Sequence, residues 1–106
     1  MITIFVTIPI PKELTREQWL EGTKAIASRF QGVPGLVRKN FIFNREAALG
    51  GGVYTWDSRE LAEKFHVAGG AWHKSLKDRF GIDPTLQYFD SPVIVDNSVG
   101  KIEISA

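Results

Sequence analysis

A run of glycines, a strand of large side chains and an abrupt helix start together form the most constraining feature of this 106-residue chain. The run extends from Gly50 to Gly52, and the strand that follows it ends at Trp56. Asp57 can cap the next turn, and Glu60, three residues later, can reach back to the cap in a partial capping box. The strand must therefore end where the helix begins, at the rim of a sheet. Because the glycines precede a strand and lack the lysine of a phosphate-binding loop, they do not predict a phosphate site.

Size and composition predict one domain over residues 1–106, with 97–106 as a C-terminal tail, and exclude several kinds of site. Thirteen basic and twelve acidic residues leave a net charge of +1 with no cluster of one sign, which argues against nucleic-acid or membrane-surface binding. The absence of cysteine excludes disulfides, thiolate metal ligands and a cysteine nucleophile. No apolar run reaches the ~20 residues of a membrane span, and no signal-peptide pattern is present. We therefore expect a cytoplasmic protein.

Hydrophobic periodicity predicts strands and helices in a definite order. Strands are expected at 2–8, 36–44, 51–56 and 85–90, the last resuming at 93–95 after Pro92, and helices at 15 to about 32, 58–67 and 71–80. Thr15 opens the first helix with Gln18 as its capping-box partner. The tail contains an alternating Ile-Glu-Ile segment with no obvious partner within the monomer. This order predicts an α+β fold of the ferredoxin-like β-α-β-β-α(α)-β type.

Both faces of the predicted sheet carry large apolar side chains. The first strand places Ile and Val residues on one face and Phe5 on the other, and the third strand places Tyr54 and Trp56 opposite Val53. Helices of this fold cover only one face, and each large side chain left in water forfeits ~1.5–3 kcal/mol of burial. We therefore predict a homodimer through the open sheet face, which the tail segment 102–104 could reinforce by crossing to the partner's edge.

Two short segments resemble the YdhR-type monooxygenases: Val-Pro-Gly-Leu at 33–36, entering the second strand, and Gly-Gly-Val-Tyr at 51–54, leading into the third strand before a short helix. These proteins belong with the antibiotic-biosynthesis-monooxygenase-like members of the dimeric α+β barrel superfamily, and the likeness spans roughly residues 33–96. The resemblance implies a homodimer with a cavity between each sheet and its helices. It also implies cofactor-free oxygenation of an electron-rich aromatic, such as a polycyclic phenol or a quinol.

The same superfamily also contains isomerases, dehalogenating enzymes and haem-degrading monooxygenases. The haem-degrading members need an Asn on strand one, a Trp in the helix after strand three and a haem-ligating His further along. Here strand one has no Asn, the Trp position falls nearest Phe65, and His73 lies near the His position but out of clear register. We therefore expect neither haem nor another cofactor.

His66 and His73 are the only imidazoles, and imidazole is the side chain whose ordinary pKa lies near neutrality. His73 borders a helical stripe of Trp72, Leu76 and Phe80, where it could face a cavity and deprotonate a phenol, raising its electron density toward O2. His66, at the end of the second helix, is the other candidate base. The alternative for each is a rim residue hydrogen-bonded to solvent or backbone. No metal site is expected, because the two lie on separate helices and no cysteine or carboxylate completes a ligand set.

Arg38 and Asn40 are polar candidates on one face of the second strand. A polar group among apolar neighbours must be paired if it is buried. Asn40 is suited to orient a ligand oxygen or bound O2 and joins the predicted catalytic set, while Arg38 is predicted to bind substrate. The alternative is a solvated strand edge.

The remaining predicted substrate-binding residues are aromatic. Aromatic walls suit a flat apolar ligand, although the same residues also build ordinary cores and dimer interfaces. The predicted wall consists of Phe41, Phe43, Tyr54, Trp56, Phe65 and Trp72. Two other functions stay open: an isomerase or lyase in which His73 moves a proton on a lactone-like substrate, and a non-catalytic small-molecule-binding or stress-response module.

Overall fold

The structure, a computed structural model, describes residues 1–105. Within these residues the chain forms three α-helices, one short 3-10 helix and six strands in antiparallel sheets. In chain order the elements are β1 (Ile2–Pro9), α1 (Arg16–Ile26), the 3-10 helix (Ala27–Phe30), β2 (Leu36–Asn44), β3 (Leu49–Trp56), α2 (Arg59–Phe65), α3 (Ala71–Phe80), β4 (Thr85–Asp90), β5 (Val93–Asp96) and β6 (Lys101–Ile104). The predicted α+β class is confirmed.

Four strands form the main sheet in the order β2-β3-β1-β4, an arrangement compatible with the ferredoxin-like plan. β1 is central: Ile4 lies opposite Tyr54 of β3 on one side and opposite Tyr88 of β4 on the other. Directly opposed residues share a face, so these three side chains all point toward the helices. The buried core lies on this face and consists of Ile2, Ile4, Val6, Tyr54, Trp56, Ala62 and Trp72.

The start of α1 follows its sequence signature. Thr15 Oγ1 accepts the Gln18 N–H at 3.2 Å, and Gln18 Oε1 accepts the Thr15 N–H at 2.9 Å, so the predicted capping box is confirmed. The regular helix ends at Ile26 and tightens into the 3-10 helix up to Phe30, earlier than the predicted end near Gly32.

The start of α2 lies one residue later than predicted. Ser58 is the N-cap, and its Oγ accepts the Leu61 N–H at 3.2 Å, so the assignment of the cap to Asp57 is wrong. The backbone N–H of Asp57 instead donates to the Gly35 carbonyl at 2.9 Å. This bond joins the end of β3 to the turn before β2. β3 ends at Trp56 and α2 begins at Arg59, so the strand ends where the helix begins, as predicted.

The C-terminal segment pairs within the monomer, which corrects the prediction that it lacks a partner there. β6 pairs with β5 in a separate two-stranded sheet, with Val95 opposite Ile102. Arg38 Nη2 lies 3.1 Å from Asp96 Oδ2 and ties this hairpin to the main sheet. Residue 106 of the predicted tail lies outside the described residues.

The face of the main sheet away from the core carries no helix in the described part of the chain. Phe5 and Phe89 pack edge to face there, with ring centroids 5.7 Å apart, and remain 39% and 46% exposed. Four aliphatic side chains of the β5–β6 hairpin are 57–77% exposed: Val93, Val95, Ile102 and Ile104. Across residues 1–105, none of the helices combines the length and the apolar character that crossing a membrane requires.

Candidate functional site

A cavity of about 850 Å³ lies between the main sheet and the helices. Its floor is the core-facing side of β1, β2 and β3, and its walls come from α1, the 3-10 helix, the end of α2 and one side of α3. The volume lies within the range of small-molecule sites, roughly 300–1,000 Å³. Apolar and aromatic side chains dominate the lining.

Missing side chains on β3 give the cavity part of its space. Gly50 and Gly52 both face the helices, since their neighbour Tyr54 does. A Cβ on Gly50 would lie 2.6 Å from the Trp19 ring, and one on Gly52 would lie 3.1 Å from both Lys39 Cε and a ring carbon of Tyr54. The glycine run therefore makes room for Trp19 and Lys39.

Lys39 extends from β2 into an aromatic cage on the cavity wall. Its Nζ lies 3.4 Å from the ring centroid of Phe30, 3.9 Å from that of Phe41 and 4.7 Å from that of Tyr54. Burial lowers the pKa of Lys39 to about 7, although the ring faces attract the ammonium form. Near neutral pH the side chain is therefore divided between amine and ammonium, unlike an exposed lysine.

Lys39 is a functional candidate that the sequence-based prediction missed. A signal was present in the alternation of β2, which places Lys39 on the same face as Phe41 and Phe43. A single cation on an otherwise aromatic strand face must either escape to solvent or lie against the rings. Here it lies against the rings.

Two hydrogen bonds order the buried aromatic wall. Trp72 Nε1–H donates to the Tyr54 hydroxyl oxygen at 3.0 Å, and Trp56 Nε1–H donates to His66 Nε2 at 3.1 Å. Burial raises the pKa of Tyr54, so this phenol stays protonated. Because the Tyr54 oxygen accepts from Trp72, this bond does not use the hydroxyl hydrogen of Tyr54.

His66 lies behind this wall rather than in the cavity lining. The ring is 5% exposed and packs edge to face with Tyr54 at 4.6 Å and with Trp72 at 4.4 Å between centroids. Its Nε2 accepts from Trp56, so the ring hydrogen lies on Nδ1, which is buried and has no partner among residues 1–105. Burial, and secondarily the charge of Lys39, lowers the pKa of His66 to about 4. The ring is therefore neutral at physiological pH.

We expect His66 to make the fold lose stability as the pH falls from about 6.5 toward 4. The folded-state pKa lies below the unfolded value of 6.5, so the unfolded chain takes up this proton first, and the contribution is complete only above pH 6.5. Urea unfolding between pH 4 and 7 measures the effect.

His66→Phe is the matched variant. It should flatten the pH dependence in this window and reduce stability at pH 7 by about 1–3 kcal/mol, because the buried Trp56 N–H loses its acceptor. An unchanged slope in His66→Phe would show that other groups cause the loss in acid.

His73 lies outside the cavity lining. Its Nδ1 accepts the Gly69 N–H at 3.1 Å, and its Nε2 lies 3.0 Å from Asp83 Oδ1. Both ring nitrogens are therefore engaged, one by a residue that precedes α3 and the other by a residue that follows it. A general base needs a nitrogen within reach of its substrate, and the predicted catalytic role of His73 stays a prediction that this geometry does not favour.

Arg38 and Asn40 lie on the open face of the sheet. They pair with Thr55 and Val53, whereas Lys39 between them faces the cavity. The sheet therefore separates a ligand in the cavity from both residues, and Arg38 is occupied by Asp96. A shared site for these two polar side chains and the aromatic wall was expected, and the structure does not bring them together.

Four of the predicted aromatic residues meet at the cavity and two do not. Phe41, Tyr54, Phe65 and Trp72 line it. Trp56 is fully buried in the core. Phe43 stacks on Trp19 with centroids 5.9 Å apart and lines an adjacent groove of about 510 Å³ between α1 and β2.

No protein-family model matches the chain, and no curated protein matches it at a significant level. The YdhR-type family therefore stays an expectation from the short segments, and the function has to be argued from the cavity. Among residues 1–105, no group of three or more His, Cys, Asp or Glu side chains is arranged to hold a metal ion.

Proposed function

We propose that this protein is a cofactor-free monooxygenase of the YdhR type, which oxidises a phenol- or quinol-like aromatic in the cavity between sheet and helices. The observation that carries the proposal is Lys39, an amine buried among three aromatic rings on the wall of a cavity large enough for a flat aromatic molecule. A base and an aromatic binding surface thus occur at one place.

In this proposal Lys39 takes the role of base that the sequence suggested for His73. A pKa of about 7 leaves much of the side chain as free amine at neutral pH, and a base with a pKa near the working pH combines the right protonation state with useful basicity. Proton transfer from the phenol produces an ammonium–phenolate pair. Coulombic attraction within such a pair is stronger in a cavity that holds little water than in bulk solvent.

The reaction balances without a cofactor because the substrate supplies the electrons. A phenolate with a free para C–H reacts with O2, and one oxygen atom becomes the second carbonyl of a quinone. The other oxygen atom leaves as water, with the phenolic hydrogen and the para hydrogen. In this proposal Tyr54, whose hydroxyl hydrogen the bond from Trp72 leaves unused, donates to an oxygen of the bound substrate.

Turnover of a panel of 1-naphthols and anthrones, each with the free para C–H that this reaction needs, under air and under nitrogen tests this function. We expect one O2 consumed per substrate, one atom of 18O from 18O2 in the product, no loss of rate with a chelator and no reaction under nitrogen. A rearranged product formed equally fast without O2 would identify an isomerase instead. Binding of panel members without turnover would identify a binding module.

We also propose that a second copy of the chain covers the open face of the main sheet. This face carries the half-exposed pair Phe5 and Phe89, and the neighbouring hairpin carries four exposed aliphatic side chains. Contiguous exposed apolar surface marks an interaction site. With a net charge of only +1, two copies repel each other little, so this surface is suited to self-association.

Light scattering at micromolar concentration should give the mass of two chains. Phe5→Glu should shift the protein to monomer, because the carboxylate would be buried without a partner at the centre of the interface. Leu20→Glu is the matched control, since Leu20 is equally exposed, at 41%, but lies on α1 away from the open face. A wild-type protein that is monomeric at this concentration would refute the dimer.

A further inference from the structure

Positive charge is concentrated at the cavity. The chain as a whole is nearly balanced, with thirteen basic and twelve acidic residues, but the cavity lining contains four cationic side chains and a single carboxylate, Asp78. The cations are Arg29, Lys39, Lys74 and Arg79. Lys39 lies in the aromatic cage, whereas the other three are exposed and therefore mark the opening of the cavity.

None of these four cations has a carboxylate partner within 4 Å among residues 1–105, where the ion pairs all involve other basic residues. Lys77 makes the contrast within α3: its Nζ lies 3.6 Å from Asp83 Oδ1, and it does not line the cavity. Lys74 and Arg79 flank it in sequence and both line the cavity. The lysine and arginine side chains of α3 are thus divided between one paired on the outside and two without a carboxylate partner at the opening.

The helix dipole does not account for this distribution. A cation in the last turn of α3 offsets the partial negative charge there, which suits Arg79. Lys74 lies in the N-terminal half of the same helix, where that effect offers nothing to a cation. Its unpaired ammonium at the opening needs another explanation.

Arg79 also bridges the opening from α3 to α1. Its Nη2 lies 2.5 Å from the position that a Cβ on Gly22 would occupy, so the guanidinium packs against bare helix backbone. Glycine is unfavourable in a helix interior, and Gly22 lies in the middle of α1. The guanidinium of Arg79 occupies the space that a side chain at this position would fill.

We propose that the ligand of this cavity is an aromatic acid, with its flat ring system inside and an anionic group, such as a carboxylate, held at the opening by Arg29, Lys74 and Arg79. This inference rests on the proposed function, which gives the protein an aromatic substrate, and adds that the substrate carries an acidic group. Arginine and lysine side chains that lack a carboxylate of their own supply the charge-assisted hydrogen bonds that carboxylate or sulfonate oxygens accept.

Calorimetric titration with a matched set of ring compounds at pH 7 tests the class without requiring turnover. The probes are 2-naphthol, 6-hydroxy-2-naphthoate and 6-hydroxy-2-naphthalenesulfonate, which share one ring system and differ in the anionic group. We expect at least one acid to bind about tenfold more tightly than 2-naphthol at low salt. The advantage should shrink strongly toward 0.5 M salt, where charges are screened within about 4–5 Å.

Four variants locate the effect. Arg79→Gln and Lys74→Gln should each weaken binding of the acid about three- to tenfold and leave 2-naphthol unchanged. Lys77→Gln removes the same charge from the same helix but outside the cavity, and should change the affinity for neither the acid nor 2-naphthol. Gly22→Ala keeps every charge but places a methyl group 2.5 Å from the present position of Nη2 and so displaces the guanidinium; it should weaken binding of the acid in the same direction as Arg79→Gln.

The outcomes of these titrations distinguish failure of this inference from failure of the proposed function. Equal affinity for 2-naphthol and both acids would overturn this inference and leave the oxygenase proposal standing. An effect of Lys77→Gln as large as that of Arg79→Gln would also overturn it, since the cause would then be the general field of the protein. If none of the three probes binds, both this inference and the aromatic cavity of the proposed function fall.

Discussion

Lys39→Met is expected to reduce kcat/KM for a phenolic substrate by about 10²–10⁴-fold, the range that a positioned acid or base contributes. Methionine keeps an unbranched apolar stem against Phe30, Phe41 and Tyr54 and removes only the amine. The cavity should therefore still bind the ring system. Steady-state kinetics together with calorimetric binding of the same substrate separates the two effects.

The pH profile provides a second readout for Lys39. Since the amine is the active form, the wild-type rate should rise with pH through about 7 and then level off. Lys39→Arg keeps the positive charge but cannot release its proton, so it should bind an anionic ligand and fail to turn over. Full activity in Lys39→Met would remove this residue from the mechanism.

The same group should also affect stability, with a sign that can be worked out. The folded-state pKa of about 7 lies below the unfolded value of 10.5, so between these pH values the unfolded chain binds the proton that the folded chain has released. Stability should therefore rise with pH from about 7 to 10.5, and the same contribution is lost as the pH falls from 10.5 to about 7. Lys39→Met should lack this rise in urea unfolding, whatever its activity.

Much of the fold follows from local patterns. The alternation in β2 and the helical spacing in α3 have the predicted bounds, because each pattern runs without interruption between turn residues. The cap of α2 could not be chosen in this way, since Asp57 and Ser58 are both good cap residues. The pairing of Trp56 with Ile2 and the bond from Asp57 N–H to Gly35 fix the end of β3, and only then is Ser58 the cap.

The site was harder to predict than the fold because its members come from distant elements. Alternation alone places Phe41 and Tyr54 on the core face, as found. The cage around Lys39 needs Phe30 as well, and that ring arrives from the 3-10 helix. The state of His66 likewise depends on Trp56, ten residues earlier in the chain. The periodicity within one helix or strand does not predict contacts between side chains of different elements.

Gly51→Ala is expected to lower the free energy of unfolding by about 3–5 kcal/mol, from backbone strain and overpacking together. Gly51 has a φ of +149°, a region that residues with a side chain rarely adopt. A Cβ there would also overlap the carbonyl oxygen of Val6 in β1. Because β3 is paired on both sides, neither strand can move away without losing hydrogen bonds of the sheet.

Gly52→Ala is the control that distinguishes this cause from a general intolerance of the glycine run. Its methyl group would lie 3.1 Å from both Lys39 Cε and a ring carbon of Tyr54, so these neighbours need to move by only a few tenths of an ångström. We expect its unfolding free energy to change by less than about 1 kcal/mol while the displaced amine lowers turnover. Equal stability of Gly51→Ala and wild type in urea unfolding would show that the close contact with β1 is not required. A large loss in Gly51→Ala and a small one in Gly52→Ala would separate the two roles: Gly51 allows the strands to pair, and Gly52 leaves space for the amine.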